Sequence, residues 1–180
     1  MVTEMGSTIG IIVGNIVSQN DCDGIVNSAN ENLRAGSGVC GAIYRAAGPE
    51  LEPCSHALAP LALGQAVATS GFQLGSRVII HTRGPKYLFD PDPEKYLSEA
   101  LKNALFVANK ERVYRVAVPA ISMGVYAYPP DKAVPILVKS AFEIRNQLEH
   151  IDEIRFVVLT ENLYQLFWAE IKKASKREVV

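Results

Sequence analysis

The stretch Asp23 to Gly48, DGIVNSANENLRAGSGVCGAIYRAAG, runs from a short apolar strand through a loop of Asn, Gly and Ser into a helix. Gly24, Ile25 and Val26 suit a strand, and Ala42 to Ala47 suits a helix. Between them Gly36, Ser37, Gly38 and Gly41 leave backbone amides that no large side chain screens. A helix start with bare amides attracts anions, so this is the ligand-handling part of the chain, with a phosphate-bearing ligand as first candidate. Asn27 and Asn30, which carry both amide donors and acceptors, add a hydroxyl-rich partner such as a sugar.

Outward from that stretch, Ile9 to Val13 is a β-branched run ending at Gly14-Asn15, and it reads, like Gly24 to Asn27, as a strand buried on both faces. Gln65 to Ser70 and Val78 to Thr82, with Gly71 and Gly75 between them, predict an antiparallel pair. Pro49 and Pro53 limit any helix around Leu51 to Leu58. Lys86 to Pro93 reads as a surface loop before a helix over Glu94 to Asn109, whose apolar spacing is Leu97, Leu101, Leu105 and Ala108. Val113 to Val118 is a further strand, stopped by Pro119, and Ile121 to Pro130 a second glycine-containing loop. Asp131 is the predicted N-cap of a helix to about Leu148, with Pro135 in its first turn or so. Ile154 to Leu159 is the last strand. Asn162 to Lys173 is the last helix, with Leu163, Leu166, Phe167 and Ile171 on one face and a solvated basic end at Lys172, Lys173, Lys176 and Arg177. The alternation predicts an α/β sheet with parallel central strands. Ligands of such sheets lie beyond the carboxyl ends of the strands. Gly14-Asn15-Ile16, Asn27 to Cys40, Ser122 to Tyr128 and Leu159-Thr160 are therefore expected to wall one cleft.

With 180 residues, 48% of them hydrophobic, the chain can bury a sizeable core and fits one domain, residues 1–180 with a core from about 9 to 172. A net charge of −1 argues against nucleic acid as the main partner. The N-terminal stretch carries Glu4 and no basic region, and the apolar run Ile9 to Val17 is interrupted by Gly10, Gly14 and Asn15. A soluble cytoplasmic protein without a membrane partner is expected. Cys22, Cys40 and Cys54 form no CxxC pair, and His56, His81 and His150 lack metal-ligand spacing, so neither a disulfide framework nor a metal is expected.

Gly36 to Gly41 formally matches GxGxxG, yet about eight residues separate it from the strand and no carboxylate ends a second strand, so the dinucleotide fingerprint does not apply. What remains is an anion-binding turn. A helix start lowers a thiol pKa and would make Cys40 a nucleophile; with no base nearby in sequence, a packing or substrate-lining role is favoured. Tyr44 and Arg45 are assigned to flank and surface. Asn27 is assigned to capping its own loop, while Asn30, three residues past the strand, stays open between loop cap and ligand contact. Ser122, Met123, Gly124, Val125 and Tyr126 offer either close backbone approach to a ligand, with an aromatic to cover a sugar, or an ordinary strand-to-helix turn.

DGIVNSANENLRAGSGVCGAIYRAAG resembles the D-A-I-V-N-A-A-N stretch and glycine-rich loop of macro domains. VPAISMGVYAYPPDKA resembles that family's second phosphate loop, P-A-I-S-x-G-x-Y-x-x-P, and the likeness runs from Ile12 to about Ile171, nearest the MacroD-like and viral branches. The resemblance implies a three-layer α/β/α sandwich with a mixed, centrally parallel sheet and a cleft for ADP-ribose. It puts adenine near Asn15 and Ile16, the pyrophosphate between the amides of Gly36, Ser37, Gly38 and Val39 and those of Ser122 to Tyr126, and the distal ribose against Asn30. Asn15 replaces the family's adenine-binding aspartate, Leu159 the residue that stacks on adenine, Cys40 the aspartate that activates water, and Tyr44 a histidine. Viral members without that aspartate hydrolyse through a phosphate-held water and the asparagine matching Asn30. The implied partners are ADP-ribose or mono-ADP-ribosylated proteins, without cofactor or metal. The implied activity is hydrolysis of mono-ADP-ribosyl esters on Glu or Asp, or of O-acetyl-ADP-ribose, with Asn30 and Cys40 as catalytic candidates. The alternative, favoured by Cys40, is a module that binds ADP-ribose without turnover.

Overall fold

The computed structural model describes residues 6–178; Glu4 and the outer ends of the expected 1–180 domain lie outside them. Six strands and five helices follow in the order β1 (Thr8–Val13), β2 (Gly24–Ser28), α1 (Gly38–Ala47), α2 (Leu51–His56), β3 (Ala66–Ser70), β4 (Val78–Thr82), α3 (Pro93–Lys110), β5 (Arg115–Val118), α4 (Pro130–Ile144), β6 (Glu153–Val158) and α5 (Glu161–Arg177). The sheet order is β1-β6-β5-β2-β4-β3, parallel throughout except for the antiparallel β3 at one edge.

The central strands are continuously apolar because both of their faces are covered, so the period of two shows in which layer each residue joins. Val26, Ile80, Val116, Val118, Phe156 and Val158 pack with Leu97 and Leu101 of α3, Leu137 of α4 and Phe167 of α5. Their neighbours Ile25, Ile79, Ala117 and Val157 pack with Ile43 and Ala47 of α1 and Leu51 of α2. Helices on both faces of a mixed sheet make a three-layer α/β/α sandwich. Among the described residues no helix is long and apolar enough to cross a membrane.

Several helix ends differ from the sequence reading. Helix α4 begins at Pro130 after Pro129, so Asp131 lies inside the first turn instead of capping it. Proline suits that start because its missing N–H would have had no helical partner, and Asp131 still complements the dipole. Pro135 sits deeper than expected, inside the helix, where it removes one hydrogen bond. The last helix runs on to Arg177, and on its expected apolar face Phe167 and Ile171 are buried while Leu166 is 37% exposed.

Two polar devices fix the sheet where its apolar residues do not specify register. The Asp23 carboxylate accepts the amides of Tyr114 at 3.0 Å and Arg115 at 2.8 Å, pinning the start of β2 beside the start of β5. Across β2, β4 and β3 runs a buried chain: Asn27 Nδ2 lies 3.0 Å from His81 Nδ1, and His81 Nε2 lies 2.9 Å from Thr69 Oγ1. Thr69 donates its own proton to the Ser70 carbonyl, so it accepts from His81 Nε2–H, and Nδ1 is left to accept from Asn27. That requires a neutral imidazole, and burial pushes the His81 pKa down to about 4.

Asp23→Ala leaves two strand-end amides without their charged acceptor and is expected to lower stability by about 1–3 kcal/mol, read as a lower urea midpoint at unchanged slope. For His81 the folded state resists a proton that the unfolded chain takes up. Its contribution is therefore complete above pH 6.5 and is lost as pH falls towards 4. The expected loss is at most about 3 kcal/mol, and His81→Gln flattens that part of the stability-pH curve.

Candidate functional site

Because β1, β6, β5, β2 and β4 are parallel, their carboxyl ends meet at one edge of the sheet, and a cleft lies there. One wall is Ser28, Asn30 and Gly36 to Cys40; the other is Pro119, Ala120, Ser122 and Gly124 to Tyr126; the cavity volume is about 210 Å³. A second hollow of about 160 Å³, lined by Asn15, Ile16 and Leu159 among others, shares Gly38 and Val39 with it. The two form one trough from Asn30 to Leu159. Of the candidate ligand residues Met123 alone is not at the trough: its side chain packs against the core and its N–H donates to the Ala120 carbonyl. Ser28, Pro119 and Ala120 line it without having been singled out from sequence, although they directly adjoin the two motifs.

Both walls are rows of unpaired amides. Among the described residues the N–H groups of Ser37 to Cys40 on one side, and of Ser122, Gly124, Val125 and Tyr126 on the other, have no backbone acceptor, while the Gly36 amide faces Cys40 Sγ. Glycine makes the geometry accessible. Gly38 starts α1 at φ +57°, where a side chain is strained, and a Cβ on Gly41 would lie 2.4 Å from the Gly36 carbonyl oxygen. At Gly124 nothing stands within 4 Å of where a Cβ would be, so this glycine faces open space. On the far wall Ser122 adopts φ 65°, and its buried Oγ has no partner among the described residues.

The loop-closing role expected of Asn27 falls to Asn30, for which it is one of two roles open from sequence. Strand β2 continues through Ser28, so Asn27 is an internal strand residue, fully buried against His81, and caps no loop. Asn30 closes the loop instead: its Nδ2 donates to the Arg34 carbonyl at 2.8 Å, and its Oδ1 accepts the Arg34 amide at 3.2 Å. It nevertheless lines the cleft. Asn15 uses Oδ1 to accept the Val17 amide at 3.1 Å, which caps the short 3-10 turn Ile16–Ser18 and leaves its Nδ2 for other contacts.

Cys40 lines the cleft floor within the first turn of α1, with Sγ 3.7 Å from Asn27 Nδ2 and donating to the Arg34 carbonyl at 3.6 Å. Burial raises its thiol pKa and outweighs the helix start, so the group is a thiol at neutral pH. His81 reaches it only through the Asn27 amide, which is no base. The surface role expected for Tyr44 is incorrect. Its side chain is buried, with the hydroxyl 3.0 Å from the Leu33 carbonyl and 2.9 Å from Ser55 Oγ, and the phenol pKa is pushed up to about 12 by burial. Tyr44 lies four residues after Cys40, on the same inward face of α1, so Cys40 in the first turn reaches the cleft floor while Tyr44, one turn further on, is buried in the core. Among the described residues no group of three His, Cys, Asp or Glu side chains is placed to hold a metal.

Comparison with known proteins agrees with this arrangement. The family model described as Macro domain matches residues 26–137. A macro domain-containing protein of Ralstonia nicotianae is 44% identical over 136 residues, 75% of this chain and 78% of the relative. A Salmonella newport protein named O-acetyl-ADP-ribose deacetylase is 36% identical over 168 residues, 91% of this chain and 93% of the relative. Among solved structures, the Oceanobacillus iheyensis macrodomain with ADP superposes with a TM-score of 0.87 at 34% identity, covering 93% of this chain and 91% of that one. The Trypanosoma brucei macrodomain in complex with ADP-ribose superposes with a TM-score of 0.81 at 28% identity, covering 88% and 67%. The chain belongs to the macro domain family.

Proposed function

We propose that the trough binds ADP-ribose, and that the protein cleaves ester bonds at its distal ribose, in O-acetyl-ADP-ribose or in mono-ADP-ribosylated Glu and Asp side chains. The observation that carries this reading is the pair of facing walls with unpaired amides, which suit a pyrophosphate gripped from both sides. The Salmonella relative named O-acetyl-ADP-ribose deacetylase supports the choice of ester. In this reading adenine lies by Asn15 and Leu159, and the distal ribose by Asn30. Asn15 offers an uncharged amide and Leu159 an apolar wall without a π face, so the adenine end contributes modestly. Residues 1–180 are taken as one such domain.

In the proposed step a water held by a ligand phosphate attacks the acyl carbon. The bond from that carbon to the ribose oxygen breaks, the water proton passes to the ribose oxygen, and a carboxylic acid and ADP-ribose leave. Cys40, a buried thiol, supplies no base, so the rate rests on positioning by Asn30 and on the amides that hold the phosphate. The step calls for no metal. The second reading, binding without turnover, is favoured by that same thiol where a carboxylate would serve.

A glutamate-linked mono-ADP-ribosylated protein is incubated with wild type, Asn30→Ala and Gly124→Glu, and ADP-ribose binding is measured by calorimetry. Wild type is expected to bind and to release label. Gly124→Glu sends a carboxylate into the open space facing the phosphates and is expected to weaken binding by roughly a hundredfold, about 3 kcal/mol. Asn30→Ala is expected to reduce release more than binding. Binding without release by wild type leaves the second reading, and no binding by wild type removes both. Cys40→Asp restores a carboxylate at the cleft floor and is expected to raise turnover by roughly tenfold or more.

A further inference from the structure

Exposed apolar side chains gather at the edge of the sheet that carries the trough. Among the described residues the four most exposed large hydrophobics are Phe89 at 84%, Val125 at 80%, Leu88 at 75% and Leu159 at 69%. All four follow carboxyl ends of parallel strands, of β4, β5 and β6. Val125 and Leu159 line the trough itself, whereas Leu88 and Phe89 do not. Strand order gives the position of that second pair: along the edge, Asn15 and Leu159 stand at the β1-β6 end, and the loop after β4 lies beyond Asn30 at the other.

The turn that holds Leu88 and Phe89 is built rather than loose. The amides of Phe89 and Asp90 donate to the Lys86 carbonyl at 3.1 and 2.9 Å, and the Lys86 amide donates to Asp90 Oδ2 at 2.7 Å. Tyr87 anchors the turn inward. Its amide donates to the Tyr126 carbonyl at 3.0 Å, its ring lies 4.7 Å from that of Tyr128, and its hydroxyl accepts from Lys132 Nζ at 3.1 Å. Tyr126 belongs to the cleft wall, so the turn is fastened directly to the trough. Two large apolar side chains held in water on a closed turn mark a contact surface whose ordering cost is met before binding.

We propose that the turn Lys86–Asp90 docks the polypeptide to which a bound ADP-ribosyl group is attached, with Leu88 and Phe89 meeting an apolar residue next to the modified side chain. The proposal rests on the trough binding ADP-ribose as read above. A group carried on the distal ribose leaves the trough at the Asn30 end, and this is the surface it meets there. The turn thus separates a polypeptide-borne substrate from a small acyl ester, which has nothing to place on it.

The test uses three ligands in calorimetry: free ADP-ribose, and two peptides carrying ADP-ribose through a stable oxime linkage, one flanked by Leu and Phe and the other by Gly and Ser. Wild type is expected to bind the apolar-flanked conjugate roughly tenfold more tightly than free ADP-ribose, and the Gly/Ser conjugate no more tightly. The double substitution L88S/F89S is expected to erase that gain while leaving the affinity for free ADP-ribose unchanged. No gain in wild type, or a gain that survives in the double variant, overturns the proposal. Failure of all three ligands together removes the ADP-ribose reading itself, which is distinguishable because free ADP-ribose then fails too. Sedimentation gives the last arm: a wild-type dimer that the double variant converts to monomer assigns the turn to a second copy of the chain and overturns the proposal.

Discussion

The parallel register of β2 between β4 and β5 is the constraint on which the rest depends. It sets Gly24 opposite both Val78 and Val116, and so brings the loops after Ser28, Thr82 and Val118 to one edge. The two amide-bearing walls come from loops that begin about ninety residues apart in sequence, and only this register makes them face each other. Apolar strands buried on both faces slide with little loss of burial, so polar groups have to hold the register. The Asp23 carboxylate does this at the amino end of β2, and the Asn27–His81–Thr69 chain does it near the carboxyl end. The first residue of the opening stretch is thus part of the scaffold, about one strand length from the ligand edge.

The Asn27 amide links that scaffold to the site. Its Nδ2 faces both a histidine kept neutral by burial and the Cys40 thiol on the cleft floor. Neither group carries charge at neutral pH, so the floor of the trough is electrically quiet and its walls supply the dipoles. Such a site holds an anion by backbone geometry and leaves little for acid-base chemistry. In the proposed reading binding and turnover therefore separate physically: binding would depend on the glycine-bearing loops, and turnover on what Asn30 and a bound water do without a carboxylate.

The fold and the two walls were legible in sequence because their signals are local. Apolar runs of β-branched residues stopped by Gly, Asn or Pro gave the strands, and glycine next to a helix start gave the anion-binding turn. The parts that were misread depend on geometry that spacing does not carry. Whether Asn27 ends a strand or lies inside it hangs on one residue of strand length, and that residue decides which asparagine caps the loop. Tyr44 looked like a flank because nothing near it in sequence names Leu33 and Ser55 as its partners. Met123 sits among cleft residues in the chain, yet the turn it belongs to rotates its side chain into the core. Gly84 gave no signal at all; its missing Cβ makes room for Ser122 Oγ, which would lie 2.2 Å away.

In the proposed reading two separate rows of backbone amides act together on one ligand. Amide-resolved NMR during a titration with ADP-ribose tests it most directly. The N–H signals of Gly38 and Val39 and those of Gly124, Val125 and Tyr126 are expected to move together, saturating at a single dissociation constant, while amides at the Asp23 end of the sheet stay still. Movement of only one row, or shifts confined to residues outside the trough, would contradict it.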